Sequence, residues 1–237
     1  MPRLRTLIFR IVFYSWAMLY CLLWSPMLLV PAVPRRWHTA FQKSWTIGVC
    51  FFLRYVQGLK CEVRGTENIS DKPVIYAMKH QSMLDTFIMH PLVVEPAFIM
   101  KAELLNIPLY GIICERAGNI SIDRDMGAKS MKKMLIQSRR ATEDGQCVII
   151  FPEGSRANPG EKHPYMPGIF GIYKYLKIPV VPVAVNTGLY WQRDGQIKKG
   201  TFVVEFLPPI EPGLQKKDFM TRLEDNIENA SERLLTE

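Results

Sequence analysis

The sequence predicts an α/β fold: a mixed, largely parallel sheet flanked by helices, with an N-terminal membrane-associated helical hairpin. Three observations lead there. After residue 60, short β-prone runs alternate with stretches of helical period, the pattern of strands joined by crossover helices. Residues 1–60 are mostly apolar and carry eight basic residues but no acid, the first carboxylate being Glu62. The full 237 residues, 48% of them hydrophobic, suit one globular domain of roughly 150–200 residues plus an appendage. The expected division is a membrane-anchoring hairpin at 1–60 and an α/β domain at 61–237.

In chain order, residues 11–33 form a run of 23 uncharged, mostly apolar positions, which as a continuous helix would measure about 35 Å and could cross a bilayer. Pro26 and Pro31 are expected to kink or end it, and basic residues on both flanks give the positive-inside rule no direction. Residues 37–58 are also apolar but carry Lys43 and Arg54 among the aromatics Trp37, Phe41, Trp45, Phe51, Phe52 and Tyr55. Together the two stretches read as a hairpin entering one leaflet with its cationic rim at the headgroups. The alternatives are a single span and a cleaved signal peptide; the long apolar region and the bulky segment after it argue against the second.

The expected strands are residues 61–65, 73–79, 97–101, 119–122, 147–151, 180–185 and 201–207. Residues 127–142 place Ala128, Met131, Leu135 and Ser138 on one helical face and Lys129, Lys132, Lys133, Arg139 and Arg140 largely on the other. Residues 218–235 repeat Phe219, Leu223, Ile227, Ala230 and Leu234 at three- and four-residue steps, an amphipathic closing helix. Pro182, inside an apolar strand, points to an edge position or a bulge.

Charge and cysteine usage exclude some functions. From residue 61 onward basic and acidic residues balance at 22 each, so the formal +8 belongs to the first sixty residues. A nucleic-acid-binding domain would spread its positive charge over the face that follows the phosphates. The five cysteines are scattered without CxxC spacing, which fits neither a disulfide framework nor a zinc site and suits a reducing compartment.

Four motifs carry chemistry. In KHQSMLD, His80 follows an apolar strand and Asp85 comes five residues later. A turn into a helix lets that carboxylate fold back on the imidazole, fix its tautomer and leave the other nitrogen to take a proton from a substrate hydroxyl; a structural His–Asp pair is the plainer reading. FPEGSR, residues 151–156, follows another strand and puts Glu153, Gly154, Ser155 and Arg156 at a sheet edge, where α/β proteins bind ligands. Arg156 could hold a phosphate bidentately and Gly154 permits close backbone approach, unless the segment is only a strand-ending turn with a local ion pair. GNISIDR, residues 118–124, ends in Asp123 and Arg124, a second cation for a phosphate or a surface ion pair. Val181-Pro182-Val183 would shape the site.

In this order and spacing the motifs resemble the glycerolipid acyltransferase family, most closely its bacterial 1-acyl-sn-glycerol-3-phosphate acyltransferases, over roughly residues 60–210. The resemblance implies transfer of a fatty acyl group from an acyl thioester to the sn-2 hydroxyl of lysophosphatidic acid, giving phosphatidic acid for phospholipid biosynthesis. The donor would be acyl-coenzyme A or acyl-acyl carrier protein, and the place the cytoplasmic face of the bacterial inner membrane. It further implies that His80 is the general base and Asp85 orients it, that Arg124 and Arg156 hold phosphate, and that Glu153 holds Arg156 or a substrate hydroxyl. Gly154 and Ser155 belong to the phosphate-binding motif, and Lys101, with Glu103 and Leu104, matches the family's lysine segment. Backbone N–H groups near the His80 turn, or Lys101, would face the tetrahedral oxyanion. The scheme requires no cofactor, no metal and no nucleic acid.

Three residues depart from the family pattern. Ser155 stands where threonine is commonest, which keeps the hydroxyl; Ser121 replaces an apolar residue; and Lys79 replaces the asparagine usual before the histidine. A cation facing His80 would disfavour a protonated imidazole, but strand alternation predicts that Lys79 points away. Another lyso-lipid acceptor, such as lyso-ornithine lipid, and a non-catalytic membrane-tethered lipid-binding protein are the rival functions. The basic face of residues 129–140 would suit an acidic acyl carrier protein or simply a solvated face.

Overall fold

The computed structural model describes residues 2–30, 32–123 and 127–237. The chain opens with α1 (Pro2–Leu28) and α2 (Arg35–Phe52), the latter prolonged by a π turn (Leu53–Gln57) that Gly58 ends in a left-handed conformation, φ 71°. Pro26 lies in the last turn of α1, where the Leu22 carbonyl accepts the Ser25 hydroxyl instead of a residue-26 amide, and the helix stops two residues later. The two helices run antiparallel: Trp24 stacks on Phe41 at 4.3 Å between centroids, and Trp16 meets Phe52 at 5.4 Å. Gly48 makes this approach possible, because a Cβ there would stand 2.4 Å from the Trp16 ring.

The sheet has seven strands: β1 (Leu59–Arg64), β2 (Ile75–Met78), β3 (Pro96–Lys101), β4 (Ile120–Ile122), β5 (Cys147–Ile150), β6 (Val180–Val185) and β7 (Gly200–Phe206). Their order is β1-β7-β6-β2-β5-β3-β4. Every pairing is parallel except β6 with β7, so the sheet is mixed and largely parallel. All seven lie where the apolar runs predict them. Pro182 departs from the edge expectation: β6 is an inner strand between β7 and β2. It is tolerated because Val180 pairs with Ile210 and Val183 with Phe206, so β6 advances three residues against four on its partner, a bulge at which only the Pro182 carbonyl is used, by the Leu207 amide.

Five more helices cover the sheet: α3 (Leu84–Leu92), α4 (Tyr110–Arg116), α5 (Gly127–Glu143), α6 (Gly168–Leu176) and α7 (Lys216–Thr236). Strand alternation sorts the core into two layers. Tyr76, Met78, Ile149, Val181 and Val183 pack on the side of α1, α2 and α3, while Ile75, Ala77, Val148, Ile150 and Val180 pack on the side of α5, α6 and α7.

The first sixty residues are part of the first layer. Phe9, Val49 and Leu53 are buried in the same cluster as Tyr76, Val183 and Phe206, so the boundary expected at residue 60 marks a change of composition and not a separate core. Leu4–Leu28 is nonetheless long and apolar enough to cross a membrane by length and composition, with a mean hydropathy of 1.7. Leu4, Leu7, Ile11, Met18, Leu22 and Leu23 form an exposed apolar surface along it, which suits association with a membrane.

Candidate active site

The parallel strands β2, β5, β3 and β4 end on one edge of the sheet, and the chemistry-bearing residues follow those ends. His80 comes directly after β2. Its Nδ1 lies 2.9 Å from Asp85 Oδ2 in the first turn of α3. The same oxygen accepts the amides of Gln81 at 2.7 Å and Ser82 at 2.8 Å, and Oδ1 accepts the Thr187 hydroxyl. Asp85 is fully buried, so four donors replace the water it has lost. A carboxylate facing Nδ1 assigns the proton to that nitrogen and leaves Nε2 its lone pair. Phe151 stacks on the imidazole, centroids 4.0 Å apart and planes at 21°, which limits its rotation.

Lys79 points to the other face of the sheet, as alternation predicts. Its buried ammonium donates to Glu153 Oε1 at 2.7 Å, to both carboxylate oxygens of Glu228 at 2.8 and 2.9 Å, and to the Glu161 carbonyl at 3.1 Å. The Tyr165 hydroxyl adds a bond to Glu228 at 2.8 Å. Burial pushes the Glu153 carboxyl above the usual carboxylate range, and the bond to Lys79 offsets only part of that rise.

Glu153 is therefore a correction. The resemblance implies a contact with Arg156 or a substrate hydroxyl, but its wholly buried carboxylate holds Lys79 and, through Oε2, the His80 amide at 3.1 Å. With the Ala157 amide donating to the His80 carbonyl at 2.8 Å, this stitches the turn after β5 to the end of β2. The amides of residues 80, 81 and 82 all bond carboxylates, so the expectation that they face an oxyanion is also corrected.

A cleft of about 710 Å³ opens over this edge. His80, Lys101, Gly154, Ser155 and Arg156 line it, while Asp85 stands behind His80. Gly154 has φ 70°, the left-handed conformation that turns the chain after β5, and Ser155 Oγ is 3.4 Å from His163 Nδ1. The apolar wall includes Ile122, Met131, Met134, Met166 and Ile169. Arg124 falls outside the described residues. Sequence reasoning missed Thr187, which lies 102 positions from the carboxylate it serves, and Arg193, which lines the cleft from a turn that no motif marks. Among the described residues, no group of three or more His, Cys, Asp or Glu side chains is disposed to hold a metal.

The arrangement can accept a proton from a hydroxyl brought to His80 Nε2, beside an apolar wall and among exposed cations. Known proteins resemble the chain in sequence and in fold. The protein-family model described as Acyltransferase matches residues 60–186. The 1-acyl-sn-glycerol-3-phosphate acyltransferase of Pseudomonas aeruginosa is 31% identical over 204 residues, 84% of this chain and 79% of that protein. The human 1-acyl-sn-glycerol-3-phosphate acyltransferase alpha is 26% identical, covering 94% of this chain and 78% of its own length. The crystal structure of the 1-acyl-sn-glycerophosphate (LPA) acyltransferase of Thermotoga maritima superposes with a TM-score of 0.82 over 100% of this chain and 99% of that one, at 19% identity, a likeness of fold.

Proposed function

The chain belongs to the acyltransferase family, and we propose that it transfers a fatty acyl group from an acyl thioester to the sn-2 hydroxyl of 1-acyl-sn-glycerol-3-phosphate, giving phosphatidic acid. The observation that carries this reading is the cleft in which His80, oriented by Asp85, stands between an apolar wall and a cationic end. His80 Nε2 takes the hydroxyl proton as the oxygen attacks the thioester carbonyl, and Asp85 holds Nδ1–H and stabilises the imidazolium. The tetrahedral adduct collapses by breaking the carbon–sulfur bond, and the departing thiolate takes the proton from His80 Nε2. With the amides of residues 80–82 engaged, Lys101 is the donor that faces the developing oxyanion. Arg124 and Arg156 hold the acceptor phosphate, which fixes the hydroxyl within reach of His80. Ser155 and Gly154 complete that end of the cleft.

The donor is acyl-coenzyme A or acyl-acyl carrier protein. The exposed face of α1 enters one leaflet at the cytoplasmic side of the bacterial inner membrane, because α2 holds α1 along the domain by its other side. Purified full-length protein offered lysophosphatidic acid, lyso-ornithine lipid and other lysophospholipids, with each donor in turn, tests the reading. Lysophosphatidic acid should be preferred by about tenfold or more in kcat/KM, since the cations would otherwise lack their anion. An equal or greater kcat/KM for lyso-ornithine lipid would overturn the assignment of the acceptor.

A further inference from the structure

Arg193 projects from a turn that the family motifs do not include. The turn is closed by the Trp191–Ile197 bridge and by the Gly195 amide on the Gln192 carbonyl at 3.0 Å, with Gly195 at φ 81°. Both sides of the molecule hold it. On the site side, Ser82 Oγ donates to the Trp191 carbonyl at 2.8 Å, two residues from His80. On the membrane-helix side, the Trp191 ring meets Phe9 of α1 edge-on at 5.6 Å, and Arg10 Nη2 donates to the Gly195 carbonyl at 3.3 Å. A tip held from two directions fixes the backbone from which Arg193 projects.

That side chain lies on the wall of the cleft with Arg156, whose carbonyl accepts Arg193 Nη1 at 3.3 Å. This bond uses one of the five N–H donors of a guanidinium. Among the described residues no carboxylate forms an ion pair with Arg193, Arg156 or Lys101, although all three line the same cleft. Glu161 lies near enough to attract Arg193 but makes no ion pair with it, its oxygens being held by Asn158 through the amide at 3.0 Å and the side chain at 2.9 Å. Glu103, which also lines the cleft, is in no ion pair with the three cations. Unpaired cations brought to one concave surface repel each other until an anion joins them.

We propose that Arg193 is a further phosphate-binding residue of the cleft, its guanidinium contacting a phosphate ester beside Arg156. This rests on the acyl-transfer reading for the identity of the ligands. A phosphate can come from the lyso-lipid headgroup or from the phosphate groups that the donor carries beyond its pantetheine, and the two sources share the chemistry that Arg193 recognises.

Binding is measured directly, independent of turnover, by the tryptophan fluorescence of the full-length protein in detergent. Lysophosphatidic acid is compared with the matching 1-acylglycerol, and a non-hydrolysable acyl-coenzyme A analogue with its acyl-pantetheine counterpart that lacks phosphate. Arg193→Ala and Arg193→Gln should weaken one of the two phosphate-bearing ligands by about tenfold and leave both phosphate-free ligands unchanged; the ligand affected identifies the source. Arg193→Lys should recover part of the loss. Equal affinity of wild type, Arg193→Ala and Arg193→Gln for both phosphate-bearing ligands would overturn the inference. Failure of the wild type to acylate lysophosphatidic acid in a parallel assay would count against the proposed reaction alone, because the binding comparison stands without it.

Discussion

Lys79 and His80 are neighbours at the end of β2, and each meets carboxylates, yet the two clusters differ in what can reach them. Behind the sheet, the Lys79 side chain is 2% exposed and those of Glu153 and Glu228 are 0% and 7% exposed, so the ammonium and its partners satisfy one another. In front, Asp85 is equally buried but His80 is 16% exposed and opens onto the cleft. The same chemistry thus yields a brace on one face and an accessible base on the other. The brace serves the base through Glu153, one oxygen of which holds Lys79 and the other the His80 amide. A buried ion pair is weak grounds for stability in itself, but breaking one leaves an uncompensated charge.

The contrast breaks most visibly at His80. His80→Ala should lower acyl transfer by about a thousandfold or more, read as thiol release from the donor, with membrane association and thermal unfolding unchanged; retained turnover would remove His80 as the base. Lys79→Met should act on the other side of the comparison. It leaves Glu153 and Glu228 buried without their cation, and a loss of about 3–5 kcal/mol is expected in denaturant unfolding, with kcat of the folded fraction held within a few-fold. A stable Lys79→Met protein that has lost its activity would mean that the brace acts on the chemistry directly.

A third histidine sharpens the comparison. His90 on α3 is buried against Phe98, and among the described residues it meets no carboxylate and its Nδ1 has no hydrogen-bond partner. Burial, helped by Lys43, pushes its pKa down to about 4 from 6.5. The unfolded chain takes up a proton as pH falls through 6.5, while the folded chain does not until about 4. Stability therefore rises with pH across that window and is lost on acidification, by about 3 kcal/mol in all. Unfolding in urea at a series of pH values should show this slope, and His90→Leu should flatten it. An unaltered slope would place the acid sensitivity in another group.

Much of this was legible in the chain because it is local. Each of the seven strands is an apolar run with turn residues near its ends, and α5 and α7 carry their period openly. The His80–Asp85 pair could be read because five residues of turn and helix bring the two side chains together. The helices α4 and α6 were harder to read. Both are short, and α6 holds Gly168 and Gly171, so its nine residues show a weak helical signal until Met131 of α5 packs against those glycines. Glu153 was misplaced because a motif gives a residue's neighbours in sequence and not the direction of its side chain.

The sequence by itself determined the strand positions, the apolar and acid-free N-terminus, and which face of β2 each of residues 79 and 80 would take, since backbone hydrogen bonding and side-chain period are properties of consecutive residues. Only the tertiary structure decided the partners. Strand order sets Glu228 against Lys79, Thr187 against Asp85 and Arg193 beside Arg156, and docking of Phe9 and Arg10 on the Trp191 turn joins the membrane helix to the site. Those meetings span up to 185 positions of sequence. They depend on how two core layers close over one sheet, a property of the whole packed chain rather than of any segment in it.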